Sequence, residues 1–208
     1  MYSRRDLIAK RVFDVAASAA GIAAIAPLLA VTAVLVKTSS PGPVLFRQKR
    51  VGRGGKLFEL WKFRTMRVGA TGPQVTVDGD SRITRVGRVL RKTKLDELPE
   101  LVNVLKGELS LVGPRPEVAR YVALYPEADR VFLQQFRPGI TDPATIRFRN
   151  EEEILARAPD VEHAYVNEVL PIKLRMYREY LEGASFLSDL GVLASTLWAI
   201  ARPSSVAR

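Results

Sequence analysis

Hydrophobic positions in this chain fall into three kinds of run. The first, residues 15–36 (VAASAAGIAAIAPLLAVTAVLV), has no charge in 22 positions and no polar stripe. That length suits a membrane-crossing helix and is long for the apolar part of a secretion signal, although the preceding segment is basic. The second kind is short and strand-like. Residues 44–66 (VLFRQKRVGRGGKLFELWKFRTM) read as two strands around a glycine-rich turn at Gly52–Gly55, a hairpin signal. The third kind recurs at helical spacing. Residues 83–95 predict a short helix with Val86, Val89 and Leu90 inward, and LPELVNVLKG (98–107) a helix stopped by Gly107. Residues 117–136 form an amphipathic helical stretch, and 151–182 read as helical and exposed. Residues 186–201 hold one charge, Asp189; they suit a core helix, or one lying in the membrane interface with Trp198 at headgroup depth. The connecting segments are SSPGP (39–43), a polar loop over 67–82, LVGPRPE (111–117) and a loop over 137–150. In LVGPRPE two prolines bracket Arg115 and fix its approach.

Charge changes the reading of the long apolar run. The 208 residues include 32 Lys+Arg and 22 Asp+Glu, a net charge of +10. Residues 1–115 hold 21 basic and 9 acidic residues, net +12, and residues 116–208 hold 11 and 13, net −2. The surplus lies around the apolar run: Arg4, Arg5, Lys10 and Arg11 before it, Lys37, Arg47, Lys49, Arg50 and Arg53 after it. Positive flanks stay on the cytoplasmic side, so both ends prefer the same face. Pro27, near the centre, removes a backbone hydrogen bond and kinks a helix. Each arm would then be about 17 Å long, about half the hydrocarbon thickness. Two topologies fit: a re-entrant helix broken at Pro27, which the flanks favour, and a plain span kinked there. The expected fold class is α+β and mainly helical, with a re-entrant membrane helix over 1–40 and a domain over 41–208. A short β-hairpin and amphipathic interfacial helices make up that domain.

Composition narrows the chemistry. There is no Cys, so disulfides, thiolate nucleophiles and Cys-ligated metals are excluded. The single His, His163, follows an acidic stretch and suits a surface position. Catalysis is left to carboxylates, Lys, Arg and hydroxyls. RKTKLDELPE (91–100) sets Asp96 and Glu97 side by side among Arg91, Lys92 and Lys94. Adjacent carboxylates can hold a hard cation such as Mg²⁺, or divide the roles of nucleophile and acid/base. Thr93–Asp96 is equally a helix capping box with no function. In WKFRTM (61–66), Lys62 and Arg64 would share one strand face; a twin cation suits a pyrophosphate, and a solvated strand face looks the same. The GRGG turn is too short for a phosphate loop. The basic stretch 82–94 lacks interleaved aromatics and any known nucleic-acid motif, so nucleic acid is not an expected partner.

Taken together these segments resemble the bacterial sugar transferases, the small monotopic polyprenol-phosphate phosphoglycosyl transferases. The resemblance runs through KRVFD (10–14), the Pro-centred apolar run, residues 42–66 and 80–116, and RPGIT (137–141). It implies transfer of a sugar 1-phosphate from a UDP-sugar to polyprenol phosphate (undecaprenyl phosphate), releasing UMP. It implies Asp96 as the nucleophile that forms a covalent phosphosugar, with Glu97 as its partner and Mg²⁺ held by the two. Lys62, Arg64, Arg91 and Arg115 match the family's phosphate-binding positions. The implied location is the bacterial plasma membrane, with membrane lipid as a partner and the catalytic domain and both termini cytoplasmic. Ala26 stands where many members have Ser, so the break rests on Pro27. After RPGIT only Arg149 and Asn150 align in a region that bears on the nucleotide sugar, and the sugar's identity does not carry over. The competing expectation is a non-enzymatic, membrane-anchored basic module that binds anionic lipid or nucleic acid.

Overall fold

The computed structural model describes residues 1–72, 75–77 and 79–201. Helix α1 (Arg4–Ser39) opens on a capping box: Ser3 Oγ accepts from the Asp6 N–H at 3.1 Å, and Asp6 Oδ2 accepts from the Ser3 N–H at 3.0 Å. The chain stays helical through Pro27, so the expected break is not a termination. Proline deletes one rung of the ladder, the bond to Ala23, and the turns on either side keep theirs.

The expected hairpin is β1 (Leu45–Val51) paired antiparallel with β2 (Leu57–Phe63), in register from Leu45↔Phe63 to Val51↔Leu57. Its turn places Gly54 and Gly55 at φ of 68° and 73°, which only glycine adopts without strain. Next come α2 (Arg85–Thr93), a 3₁₀ turn over Leu95–Glu97, and α3 (Glu100–Lys106). Thr84 caps α2, its Oγ1 accepting from the Gly87 N–H at 2.9 Å. Gly107, at φ 82°, ends α3 as expected. Strand β3 (Ser110–Val112) follows, then α4 (Ala119–Val122), α5 (Glu127–Leu133), β4 (Gly139–Thr141), α6 (Pro143–Arg147) and α7 (Glu151–Leu155). After α8 (Val161–Ala164) a π-helical turn leads into α9 (Leu170–Glu182), and α10 (Phe186–Ala201) closes the described chain. β3 and β4 pair in parallel, Ser110 against Gly139 and Val112 against Thr141.

Several expectations are corrected. Residues 137–150 are not a loop but hold β4 and α6. The stretch 117–136 is two short helices, because Pro126 starts α5 from an extended conformation. Residues 151–182 are helical but supply much of the core: Leu155, Tyr165, Leu174, Tyr177 and Leu181 are buried with Tyr121 and Tyr125. Val89 points outward, 60% exposed, while Leu90 is buried. Helix α10 buries Asp189, which accepts from Tyr2 Oη and from Lys10 Nζ, both at 2.6 Å, while Leu187, Leu197 and Trp198 stay exposed.

Helix α1 is held by this body over residues 10–14 and again over residues 29–36. Lys10 Nζ donates to the Val112 carbonyl at 2.8 Å, and Arg11 Nη1 to that of Val104 at 2.7 Å. Asp14, fully buried, accepts from Ser110 Oγ at 2.7 Å and from the Leu111 N–H at 3.1 Å. At the other end Leu29, Ala33 and Val36 pack with Phe63 and Leu90. Leu7, Ile8 and Val12 near one end of α1, and Val31 and Val34 near the other, are exposed apolar residues.

The seam between α2 and the end of the hairpin allows no side chain at Gly87, where an added Cβ would lie 2.1 Å from the Thr65 carbonyl oxygen. Gly87→Ala should cost about 2 kcal/mol and lower Tm by about 4–8 °C. A thermal melt with unchanged Tm would contradict this packing.

Candidate active site

The Asp-Glu pair sits where two helices meet. Lys94 ends α2 in the left-handed conformation at φ 58°, the one positive φ outside glycine among the described residues. The 3₁₀ turn then carries Asp96 and Glu97 beneath the hairpin, and Pro99 starts α3. Thr93 does not cap this turn; its Oγ1 donates back to the Val89 carbonyl at 2.8 Å, so the capping-box reading fails. Asn103 joins α3 to the open edge of β2. Its Oδ1 accepts from the Trp61 N–H at 3.0 Å, and its Nδ2 donates to the Glu59 carbonyl at 2.7 Å. The amide thus stands in for a neighbouring strand and sets β2, with Lys62, against the pair.

The two carboxylates have different surroundings. Glu97 Oε1 accepts from Lys62 Nζ at 2.7 Å and from Arg115 Nη2. Burial raises its pKa, but the charges of Arg115, Lys62 and Lys94 outweigh burial and hold it well below the usual carboxylate range. Asp96 is 6% exposed, and its Oδ1 has no hydrogen-bond partner. Burial, and then the Glu97 charge, push its pKa up to about 6, against the pull of Lys62, Arg91 and Lys94. One carboxylate is therefore locked as an anion. The other is free of partners and ionised above about pH 6.

A third carboxylate joins them. Glu100 is 1% exposed, lies 3.3 Å from Lys62 Nζ, and is pushed up to about 7, first by burial. Its place in the sequence gave no sign of this, because burial of the first turn of α3 depends on the hairpin above it. Glu152 was also missed. It reaches from α7 to Arg91, accepting from Nη2 and, at 3.4 Å, from Nε. An acidic first turn of an exposed-looking helix carries no signal for a partner sixty residues upstream.

The sequence candidates divide accordingly. Lys62 and Arg115 meet the pair, and Arg91 lies near enough to lower the Asp96 pKa. Arg64 does not join them. β2 ends at Phe63, and the Arg64 guanidinium turns to the carbonyls of Pro41, Ser40 (2.8 Å) and Val36 (3.3 Å). Those carbonyls lie at or beyond the end of α1, where the helix leaves acceptors unpaired. The twin-cation reading of Lys62 and Arg64 is thus corrected. Arg149 bonds the Ala199 carbonyl of α10, and Asn150 precedes α7.

No group of three or more Asp, Glu or His residues is arranged as a metal cage among the described residues. Mg²⁺ needs only one or two carboxylates when substrate phosphates and water complete its shell. The unpartnered buried Oδ1 of Asp96 beside the Glu97 carboxylate fits that requirement.

A sequence profile of bacterial sugar transferases matches residues 5–203. This chain belongs to that family. It is 49% identical over 144 residues to the UDP-glucose:undecaprenyl-phosphate glucose-1-phosphate transferase of Caulobacter vibrioides, covering 66% of this chain and 53% of that protein. It is 45% identical over 141 residues to the UDP-N-acetylgalactosamine-undecaprenyl-phosphate N-acetylgalactosaminephosphotransferase of Aeromonas hydrophila, covering 66% and 33%. To the exopolysaccharide production protein PSS of Rhizobium leguminosarum bv. phaseoli it is 44% identical over 150 residues, covering 68% and 75%. The match spans about half the length of the first of these and a third of the second.

In the metal-free protein, carbon-13 NMR of the carboxyl groups should place the Asp96 midpoint at about 6. Lys62→Met should raise it, since a cation favouring the charged form is lost. Glu97→Gln should lower it, since a neighbouring anion is lost. A midpoint indifferent to both changes would show that these charges do not govern Asp96.

Proposed function

We propose that this chain transfers a sugar 1-phosphate from a UDP-sugar to undecaprenyl phosphate through a covalent intermediate on Asp96. The observation that carries this is the contrast within the pair: a buried Asp96 oxygen without partners beside a Glu97 pinned by Lys62 and Arg115. The names of two of these relatives both include undecaprenyl phosphate and differ in the sugar, glucose in one and N-acetylgalactosamine in the other. The sugar is therefore not assigned to this chain.

In the first step an Asp96 oxygen attacks the phosphorus that bears the sugar. The Asp–O–P bond forms as the P–O bond to UMP breaks, and UMP leaves with the electron pair. In the second step an oxygen of undecaprenyl phosphate attacks the same phosphorus, the Asp–O–P bond breaks, and the carboxylate is restored. Neither step needs a proton. Both bring one anion against another, so the surrounding cations decide the barrier. Lys62 and Arg115, now paired with Glu97, would turn to the phosphate oxygens, and Arg91 would exchange Glu152 for one. Mg²⁺ held by Asp96 and Glu97 would supply further charge neutralisation at the diphosphate.

The acceptor's phosphate lies at headgroup level, and α1 supports a re-entrant, monotopic placement. Residues 10–14 and residues 29–36 of one helix both pack on the same domain. A straight crossing would carry one end about 30 Å from the other side of the bilayer. Both termini then lie with the domain on the cytoplasmic face of the bacterial plasma membrane.

Asp96→Asn should cut UMP release across a panel of UDP-sugars with undecaprenyl phosphate in detergent by about 1,000-fold or more. Full turnover by that variant would sink the nucleophile assignment. Reporter tags at residue 1 and after residue 201 should both read cytoplasmic; a periplasmic N-terminal tag would defeat the re-entrant placement.

A further inference from the structure

We propose that the cavity between the N-terminal end of α1 and the hairpin turn is a second anion site, which takes the phosphate headgroup of an acidic membrane lipid. The cavity holds about 420 Å³, far more than an inorganic anion fills and within the usual range for small organic ligands. Arg11, Arg53 and Arg137 reach it from three separate segments: α1, the hairpin turn and the loop before β4.

Their charge is only partly balanced within the protein. The one carboxylate lining the cavity is Asp14; its charge acts on Arg137, but its oxygens bond Ser110 Oγ and the Leu111 N–H and make no ion pair with the arginines. Lys10, which also lines the cavity, is paired with Asp189 at 2.6 Å. Among the described residues none of the three arginines has an ion-pair partner. Arg11 donates to the Val104 carbonyl at 2.7 Å and to that of Leu105 at 3.1 Å, and Arg137 Nε to that of Gly107 at 3.1 Å. These contacts with the end of α3 fix the two guanidinium groups and leave the Arg137 Nη groups and all of Arg53 for a ligand. Burial, and then the charges of Arg11 and Arg53, pull the Arg137 pKa down. A guanidinium does not shed its proton to escape such repulsion. An entering phosphate relieves it and finds a fork of donors already oriented.

The site is separate from the Asp-Glu pair. The pair precedes the first residue of α3, whereas Arg11 and Arg137 of the cavity bond carbonyls at its other end, a helix length of about 10 Å away. None of Lys62, Arg91, Lys94 and Arg115, the cations that govern the pair, lines the cavity. A lipid is favoured over a soluble phosphate by the rim. Leu7 lines the cavity, and Ile8 and Val12 at the same end of α1 are also exposed, apolar surface on which acyl chains can lie. The inference rests on the membrane placement of α1 and not on the transferase reading.

The test uses the full chain in neutral detergent, with native mass spectrometry to read adducts. Short-chain phosphatidylglycerol, phosphatidylcholine and glycerol 1-phosphate are titrated separately. The chain should retain one phosphatidylglycerol in preference to phosphatidylcholine. Arg53→Gln should weaken it about tenfold, and Arg53→Gln with Arg137→Gln further. Arg53 makes no bond within the described protein, so its replacement leaves the fold intact. Arg47→Gln, an exposed charge elsewhere on the hairpin, should leave affinity unchanged. Equal losses for the Arg47 and Arg53 variants, or no loss for Arg53→Gln, would overturn the site. Glycerol 1-phosphate bound as tightly as the lipid would overturn the lipid assignment. Because the readout is binding, a failure here is distinct from loss of UMP release at Asp96.

Discussion

Three carboxylates, Asp96, Glu97 and Glu100, are withdrawn from water within five positions of chain, and Lys62 and Arg115 are the cations that make this tolerable. Burying an unpaired charge costs several kcal/mol. The turn between α2 and α3 can hold these groups only if β2 delivers Lys62 above it and the GPRP segment delivers Arg115 beside it. Hence the Asn103 bridge to the edge of β2, the left-handed turn at Lys94, and the absence of a side chain at Gly87. Each fixes one element of the carboxylate nest relative to another. The nest is also asymmetric. Two cations converge on Glu97 and none bonds the free oxygen of Asp96, which separates a held anion from an available one.

The long helix obeys a second constraint, the disposal of polar groups on an otherwise apolar element. Asp14, Ser18 and Thr32 are its buried polar side chains, and the apolar residues Leu7, Ile8, Val12, Val31 and Val34 are outside. That is the reverse of a soluble amphipathic helix and what a lipid-facing helix requires. Arg64 completes the arrangement by taking carbonyls at the end of α1, where the helix turns into the hairpin.

Much of this was legible because the signals are local. A charge-free run of 22 residues, paired glycines between strand-like segments and a glycine after an apolar helix need no distant partner to be read. The Asp-Glu pair was legible as chemistry for a similar reason: composition had removed Cys and left one His. The errors lie where partners are distant. Strands of three residues such as β3 and β4 have too little periodicity to stand out, and they pair across some thirty positions. Helices of four or five residues, such as α7 and α8, show no repeated face, so the burial of Leu155 and Ala164 was invisible.

The apolar helix, the hairpin, the neighbouring carboxylates Asp96 and Glu97, and the basic character of the first half can all be read along the chain. Those features follow from residue type and short-range spacing. Which cation serves which anion was settled by packing between distant segments. Lys62 and Arg64 are two residues apart and alike in charge, yet one closes on Glu97 and the other on the end of α1. The tertiary structure likewise gathered Arg11, Arg53 and Arg137 around one cavity. An ion pair depends on distance in space and on the water excluded around it, and neither quantity is written in the spacing of residues along a chain.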